Sequence, residues 1–80
     1  MIPTYRLILF KSPTIPLTEM IQAVQKVMRC SNHEAKDLAT EARYHGSSVL
    51  CETHMERAEF LSDRLMPLST VYIMQRPSTV

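Results

Sequence analysis

The fold of this chain is decided by the stretch Tyr5-Arg6-Leu7-Ile8-Leu9-Phe10-Lys11-Ser12-Pro13-Thr14-Ile15-Pro16-Leu17. Its first half is rich in apolar and aromatic residues and precedes Pro13, which predicts a strand over residues 4–10. Apolar side chains alternate onto both faces of this strand, so we expect both faces to be covered. Pro16 suits the first turn of a helix, because the N–H that proline lacks has no partner there. The stretch therefore predicts a strand, a short loop and a helix.

Two helices are predicted before the next strand. The first spans about residues 16 to 29, and its apolar residues recur at helical spacing: Leu17, Met20, Ile21, Val24, Val27 and Met28. The second begins at Ser31, which forms a capping box with Glu34. Its small and apolar residues should face inward: Ala35, Leu38, Ala39 and Ala42. It should end at His45-Gly46, because glycine adopts the left-handed conformation of a helix stop.

The second half of the chain predicts two strands and a third helix. Residues 48–51 form a short strand, and Thr53 with Glu56 forms a second capping box that opens the helix. Ala58, Leu61 and Leu65 share one face of this helix, and Pro67 closes it. Residues 70–74 alternate as a final strand, and we expect residues 76–80 to be loose. The predicted fold is α+β, in the order β-α-α-β-α-β, with three helices packed on a three-stranded sheet.

The composition excludes several classes of protein. With 80 residues, 45% hydrophobic and 21% charged, the chain fits one globular domain over residues 1–80. Its net charge is 9 − 8 = +1, which argues against a nucleic-acid-binding surface. No apolar run approaches the ~20 residues of a membrane span, and the first residues lack a signal peptide. Cys30 and Cys51 are read as reduced thiols, so we expect a cytoplasmic protein without membrane partners.

Several segments together resemble the ClpS family, the adaptors that deliver substrates to Clp-type AAA+ proteases. The resemblance runs from about residue 5 to residue 75. It includes the first strand and, in the first helix, Pro16-Leu17 and Val24-Gln25-Lys26-Val27. It continues in the turn from the second helix to the second strand, in that strand, and at the start of the third helix: Glu41-Ala42-Arg43-Tyr44-His45-Gly46, Val49-Leu50-Cys51 and Thr53-His54-Met55-Glu56-Arg57-Ala58-Glu59. The resemblance implies the ClpS fold and a non-enzymatic protein that needs no cofactor. It also implies that the protein binds the N-terminal domain of a ClpA- or ClpC-type unfoldase. A peptide or protein substrate is a further implied partner.

The residues that bind substrate in the family are replaced here. The resemblance implies an Asn-Asp-Asp loop and a histidine that hold the α-amino group of a substrate. In this chain the positions of the loop are occupied by Lys11, Ser12 and Pro13, and the position of the histidine is occupied by Arg43. The apolar pocket for the substrate's first side chain corresponds to Ile15, Leu17, Ala39 and Ala42. The resemblance therefore implies a divergent ClpS-like domain without the usual N-degron recognition.

Lys11 and Arg43 oppose a protonated amine by their charge. At about 4 Å and an effective dielectric constant of about 20, each repulsion is worth roughly 4 kcal/mol before screening by salt. A millimolar complex has a binding free energy of only about 4 kcal/mol. Two interpretations remain open: the cations flank an apolar hollow, widened by the alanines, that accepts an acidic or carboxylate-bearing peptide, or they are solvated and their stems cover the alanines.

The family's second surface docks on the unfoldase through the start of the third helix. Glu56 matches the acidic residue of that surface, and Leu61 replaces its basic partner. Glu56 is also explained by helix stability alone, as the N3 residue of the predicted capping box, that is, the third residue of the helix.

Other functions have weaker sequence support. Cys30, His33, His45, Cys51 and His54 show no paired metal-binding spacing, so no metal site is predicted. Neither cysteine lies in a nucleophile motif, and no phosphate-binding loop is present, so we expect no enzyme activity. One alternative is a module like the ribosomal stalk protein's C-terminal domain, which His33-Glu34-Ala35-Lys36-Asp37-Leu38 resembles. Another is a homo-oligomeric structural domain, suggested by six methionines and the apolar final strand.

Overall fold

The central strand, β1 (Tyr5–Phe10), pairs with both other strands of an antiparallel sheet. A computed structural model of the chain describes residues 4–12, 14–66 and 70–75. After β1 come α1 (Leu17–Met28), α2 (Asn32–His45), β2 (Ser47–Thr53), α3 (Met55–Leu65) and β3 (Thr70–Gln75). The strand order is β2-β1-β3. The predicted α+β fold and its element order are confirmed.

Within the part of the chain that the structure describes, the helices cover one face of the sheet. Leu7 and Leu9 have no exposed surface and join the core that the helices build. Ile8 and Phe10 point the other way and stay partly exposed. The flanking strands add Val49, Tyr72 and Met74 to this open face, at 44%, 58% and 53% exposure. The prediction that both faces of β1 are covered is wrong, because the helices cover the Leu7 and Leu9 side.

A β-bulge changes the pattern of β2. Leu7 lies opposite Cys51 and Ile8 lies opposite Val49, so Leu50 is an extra residue in the ladder. Such an insertion interrupts the strict alternation of a strand. Leu50 is buried, and the neighbouring Cys51 also packs against the core. The strand is also longer than the predicted residues 48–51, since its backbone pairs with the full length of β1.

The apolar stripe predicted for α1 is confirmed. Met20 and Val24 are buried, together with Ala23, and the remaining members pack against the core. Pro16 is the N-cap of the helix rather than part of its first turn. Its carbonyl accepts the N–H groups of Glu19 and Met20 at 3.1 Å each.

Both predicted ends of α2 are confirmed. The Ser31 hydroxyl accepts the N–H of Glu34 at 3.1 Å. The three alanines of the inward face have no exposed surface. At the other end Gly46 has a φ of 96°, and its N–H donates to the Ala42 carbonyl at 3.0 Å.

The predicted capping box of α3 is wrong. His54 is the N-cap, and its Nδ1 accepts the N–H of Arg57 at 3.3 Å. Thr53 is instead the last residue of β2, where its backbone pairs opposite Tyr5. Glu56 is therefore the second residue of the helix and not the third.

The inward face of α3 is as predicted, since Ala58, Leu61 and Leu65 are all buried. The predicted roles of Pro67 and of the tail at residues 76–80 lie outside the described residues.

We predict that Gly46→Ala destabilises the protein through its backbone alone. A Cβ atom at this position would meet no atom within 4 Å, so no clash adds to the effect. A left-handed residue other than glycine costs roughly 1–2 kcal/mol. Urea denaturation should show that loss in the free energy of unfolding. Gly46→Asn is the control and should cost less, because asparagine tolerates this conformation; equal losses would contradict the explanation.

We also predict that His54→Ala weakens the start of α3, whereas Thr53→Val does not. Loss of a side-chain N-cap costs about 0.5–2 kcal/mol. Thr53→Val keeps the β-branched shape that a strand favours and removes only the hydroxyl. Thermal denaturation of both variants measures the difference. If Thr53→Val lowered the melting temperature more than His54→Ala, the N-cap would be Thr53 and not His54.

Candidate protein-binding site

The loop after β1 is tied to the end of α2. The N–H of Lys11 donates to the carbonyl of Gly46, with an N···O distance of 3.1 Å. Within the loop, the hydroxyl oxygens of Ser12 and Thr14 lie 3.2 Å apart, within hydrogen-bonding distance. Pro13 lies outside the described residues. The left-handed turn at Gly46 thus places the first residue of the predicted substrate loop.

Lys11 and Arg43 are both exposed, and each lies near the end of α2, since the backbone of Lys11 is hydrogen-bonded to Gly46. Arg43 lies three residues before Gly46, in the last helical turn. A cation there also stabilises the negative end of the helix dipole, which is a structural reason for its presence. The salt bridges among the described residues join Arg6 to Glu52 and His33 to Asp37, so no described carboxylate pairs with Lys11 or Arg43. This region therefore carries unneutralised positive charge.

The predicted pocket walls are not open to solvent at the two alanines. Ala39 and Ala42 have 0% exposure, so no space that admits a water molecule adjoins them. Ile15 and Leu17 are partly buried and pack against the same core. A peptide side chain reaches the alanines only if these neighbours move. The core packs closely against these short side chains, so they do not create a wider cavity.

The two residues of the predicted docking surface are separated by the fold. Glu56 is exposed in the first turn of α3. Leu61 is only 2% exposed and belongs to the core cluster. A buried leucine cannot contact a partner that docks on the surface. Glu56 therefore remains as the accessible member of this pair.

The thiol of Cys51 is held in its less reactive form. Burial raises the pKa of the Cys51 thiol, and the charge of Arg57 offsets this only in part, so the reactive thiolate is disfavoured. No group of three or more potential metal ligands occurs within residues 4–12, 14–66 and 70–75. In the same ranges no helix is both long and apolar enough to cross a membrane.

One surface feature was not predicted from the sequence. A groove between α1 and α3 is lined by Lys26, Val27, Arg29, Phe60 and Arg64. We call it the α1–α3 groove. Its residues come from two separate segments, so no local motif marks it. The available signal in the sequence was the pair Lys26 and Arg29 in one segment and the pair Phe60 and Arg64 in the other.

Comparison with known proteins identifies the fold. No protein-family model matches this sequence, and no curated protein sequence matches it. A solved structure of Agrobacterium tumefaciens ClpS2 bound to L-phenylalaninamide superposes with a TM-score of 0.88. The match covers 95% of this chain and 100% of that one, at 14% sequence identity. The chain therefore has the fold of ClpS, with a sequence far removed from that protein's.

Proposed function

We propose that this chain is a non-enzymatic adaptor or modulator of a Clp-type AAA+ protease. It binds the N-terminal domain of a ClpA- or ClpC-type unfoldase and acts in the cytoplasm. The observation that carries the proposal is the match to ClpS2 over nearly the whole chain. A shared fold by itself leaves function open, so the proposal also rests on the exposed Glu56 at the start of α3.

The proposal excludes the usual recognition of a substrate's amino terminus. L-phenylalaninamide, the ligand of ClpS2, combines an α-amine with an aromatic side chain. Here Lys11 and Arg43 present positive charge, with no described carboxylate paired to either. Ala39 and Ala42 offer no open space for the side chain. Electrostatic repulsion therefore disfavours binding of the α-amine, and close packing disfavours binding of the aromatic side chain.

A modulator that docks without delivering a substrate fits these features best. Glu56 is accessible, whereas the substrate loop has lost the groups that receive an amine. Occupation of the unfoldase docking site would then compete with a true adaptor.

We predict that Glu56→Arg abolishes binding to the N-terminal domain of a ClpA- or ClpC-type unfoldase. The change reverses the charge of the one accessible residue at the docking position. The melting temperature should fall by only a few degrees and the fold should be retained, because loss of an acidic residue from the first helical turn costs about 0.3–1 kcal/mol. Isothermal titration calorimetry against both N-domains measures the binding.

Glu59→Arg is the matched control, because it makes the same charge change at another exposed position of α3. Equal loss of binding in both variants would point to net charge rather than to Glu56. If the unmodified chain binds neither N-domain, the proposed function is wrong.

We predict that the unmodified chain does not bind a peptide with a free N-terminal phenylalanine. The combined variant Lys11→Asn, Ser12→Asp, Pro13→Asp and Arg43→His should gain binding of a free-amine peptide whose first residue is alanine, because it replaces repelling cations with amine acceptors and this small side chain needs no space beside Ala39 and Ala42. Fluorescence anisotropy should show a gain of at least about tenfold, or ~1.4 kcal/mol. The N-acetylated peptide is the control and should stay unbound. Binding of the free-amine peptide by the unmodified chain would overturn this part of the proposal.

A further inference from the structure

The α1–α3 groove combines positive charge with apolar surface. It has a volume of about 400 Å³ and is lined by three cations, Lys26, Arg29 and Arg64. The apolar side chains Val27 and Phe60 complete the lining. Val27 is half-buried against the core, whereas Phe60 is 54% exposed. An exposed aromatic side chain of this size leaves a large apolar area in contact with water.

The backbone and the aromatic ring position two of the cations. Arg29 ends α1 in the left-handed conformation, with a φ of 54°, which is uncommon for a residue other than glycine. The Arg64 guanidinium carbon lies 4.7 Å from the centre of the Phe60 ring. A guanidinium that contacts a ring through a cation–π interaction still has N–H groups that can donate to a carboxylate.

Among the described residues, no carboxylate forms a salt bridge with Lys26, Arg29 or Arg64. Lys26 and Arg29 lie at the end of α1 and Arg64 lies in the last turn of α3, and a cation is favourable at both places. Helix stability can therefore explain each cation separately, but it does not require the two helix ends to share one groove. The convergence of three cations on this groove makes it complementary to an anion.

The lining of the groove favours a peptide over a small anion, because it combines cations with an exposed aromatic ring. A second groove of about 400 Å³ shares Lys26 with the first, but its lining also contains Glu19, which repels an acidic ligand. We therefore expect an acidic segment to occupy the α1–α3 groove alone. A phosphate ion would contact the cations but would leave Phe60 uncovered. A peptide segment covers both the charges and the ring.

We propose that the α1–α3 groove binds an acidic segment of a partner protein. Lys26, Arg29 and Arg64 hold its carboxylates, and Phe60 and Val27 cover an apolar side chain next to them. The occupant is an internal segment, because the groove needs side-chain carboxylates and no free terminus. Glu56 does not line the groove, so this proposal is independent of unfoldase docking.

The test uses a fluorescein-labelled peptide, acetylated and amidated, that contains aspartate, glutamate and one phenylalanine. Its amide counterpart, with asparagine and glutamine in place of the acids, is the control ligand. Anisotropy should show binding of the acidic peptide only, and added salt should weaken it. Arg64→Glu and Lys26→Glu should each weaken binding by about tenfold or more, because each replaces an attraction with a repulsion.

Lys36→Glu is the matched control variant, because it reverses an exposed cation of α2 that does not line the groove. It should bind the acidic peptide like the unmodified chain. Phe60→Ala tests the apolar contact without changing the charge, and its melting curve shows whether the fold is retained. Phe60→Ala should weaken binding of the peptide but not of inorganic phosphate.

Three results would overturn the proposal. The first is equal binding of the acidic and neutral peptides. The second is an equal loss of binding in Lys36→Glu and Arg64→Glu. The third is displacement of the peptide by low concentrations of inorganic phosphate with no effect of Phe60→Ala, since the groove would then be a site for small anions.

Discussion

The complete burial of Leu7 and Leu9 is the constraint on which the rest of the structure depends. Their strand lies between both other strands, so the helices that cover these two side chains also cover the sheet. The hydrophobic effect favours this arrangement by roughly 1.5–3 kcal/mol for each fully buried leucine. Because β1 is central, its ends determine where the neighbouring loops lie. The loop of Lys11 and Ser12 is therefore placed by the core and not by its own sequence.

The candidate substrate site shows that position and chemistry are separable. A backbone hydrogen bond from Lys11 to Gly46 holds the loop, and such a bond accepts almost any side chain. The fold can thus be kept while the side chains that would receive an amine are exchanged for cations. The alanines of α2 show the same separation of position and chemistry in the core. Their small volume allows close helix packing, so the space that a ligand would need is absent.

Helix α3 serves the core with one face and presents two distinct surfaces with the other. Leu61 and Leu65 bury their side chains, whereas Glu56 and Phe60 stay accessible. The acidic start of the helix suits a partner of opposite charge. Its later turns join the basic end of α1 and form a groove of the opposite polarity. The exposed side of one short helix therefore carries an acidic residue at its start and contributes to a basic groove further along its length.

Features that depend on residues close in sequence were predictable. The stripe of α1, the Ser31 cap and the stop at Gly46 each follow from contacts within a few positions. Features that depend on distant residues were not. The pairing of Thr53 with Tyr5 moved the cap of α3 to His54, and the bulge at Leu50 turned neighbouring residues toward the core.

The same distinction separates the fold from the site. The sequence by itself determined the order of elements and the inward faces of the helices, Leu61, Ala39 and Ala42 included. Only the tertiary structure decided that the helices cover one face of the described sheet, that no open space remains beside Ala39 and Ala42, and that Arg29 and Arg64 share a groove. The physical reason is that the periodicity of one element shows which of its faces is apolar, whereas the fit between separate segments depends on residues far apart in sequence.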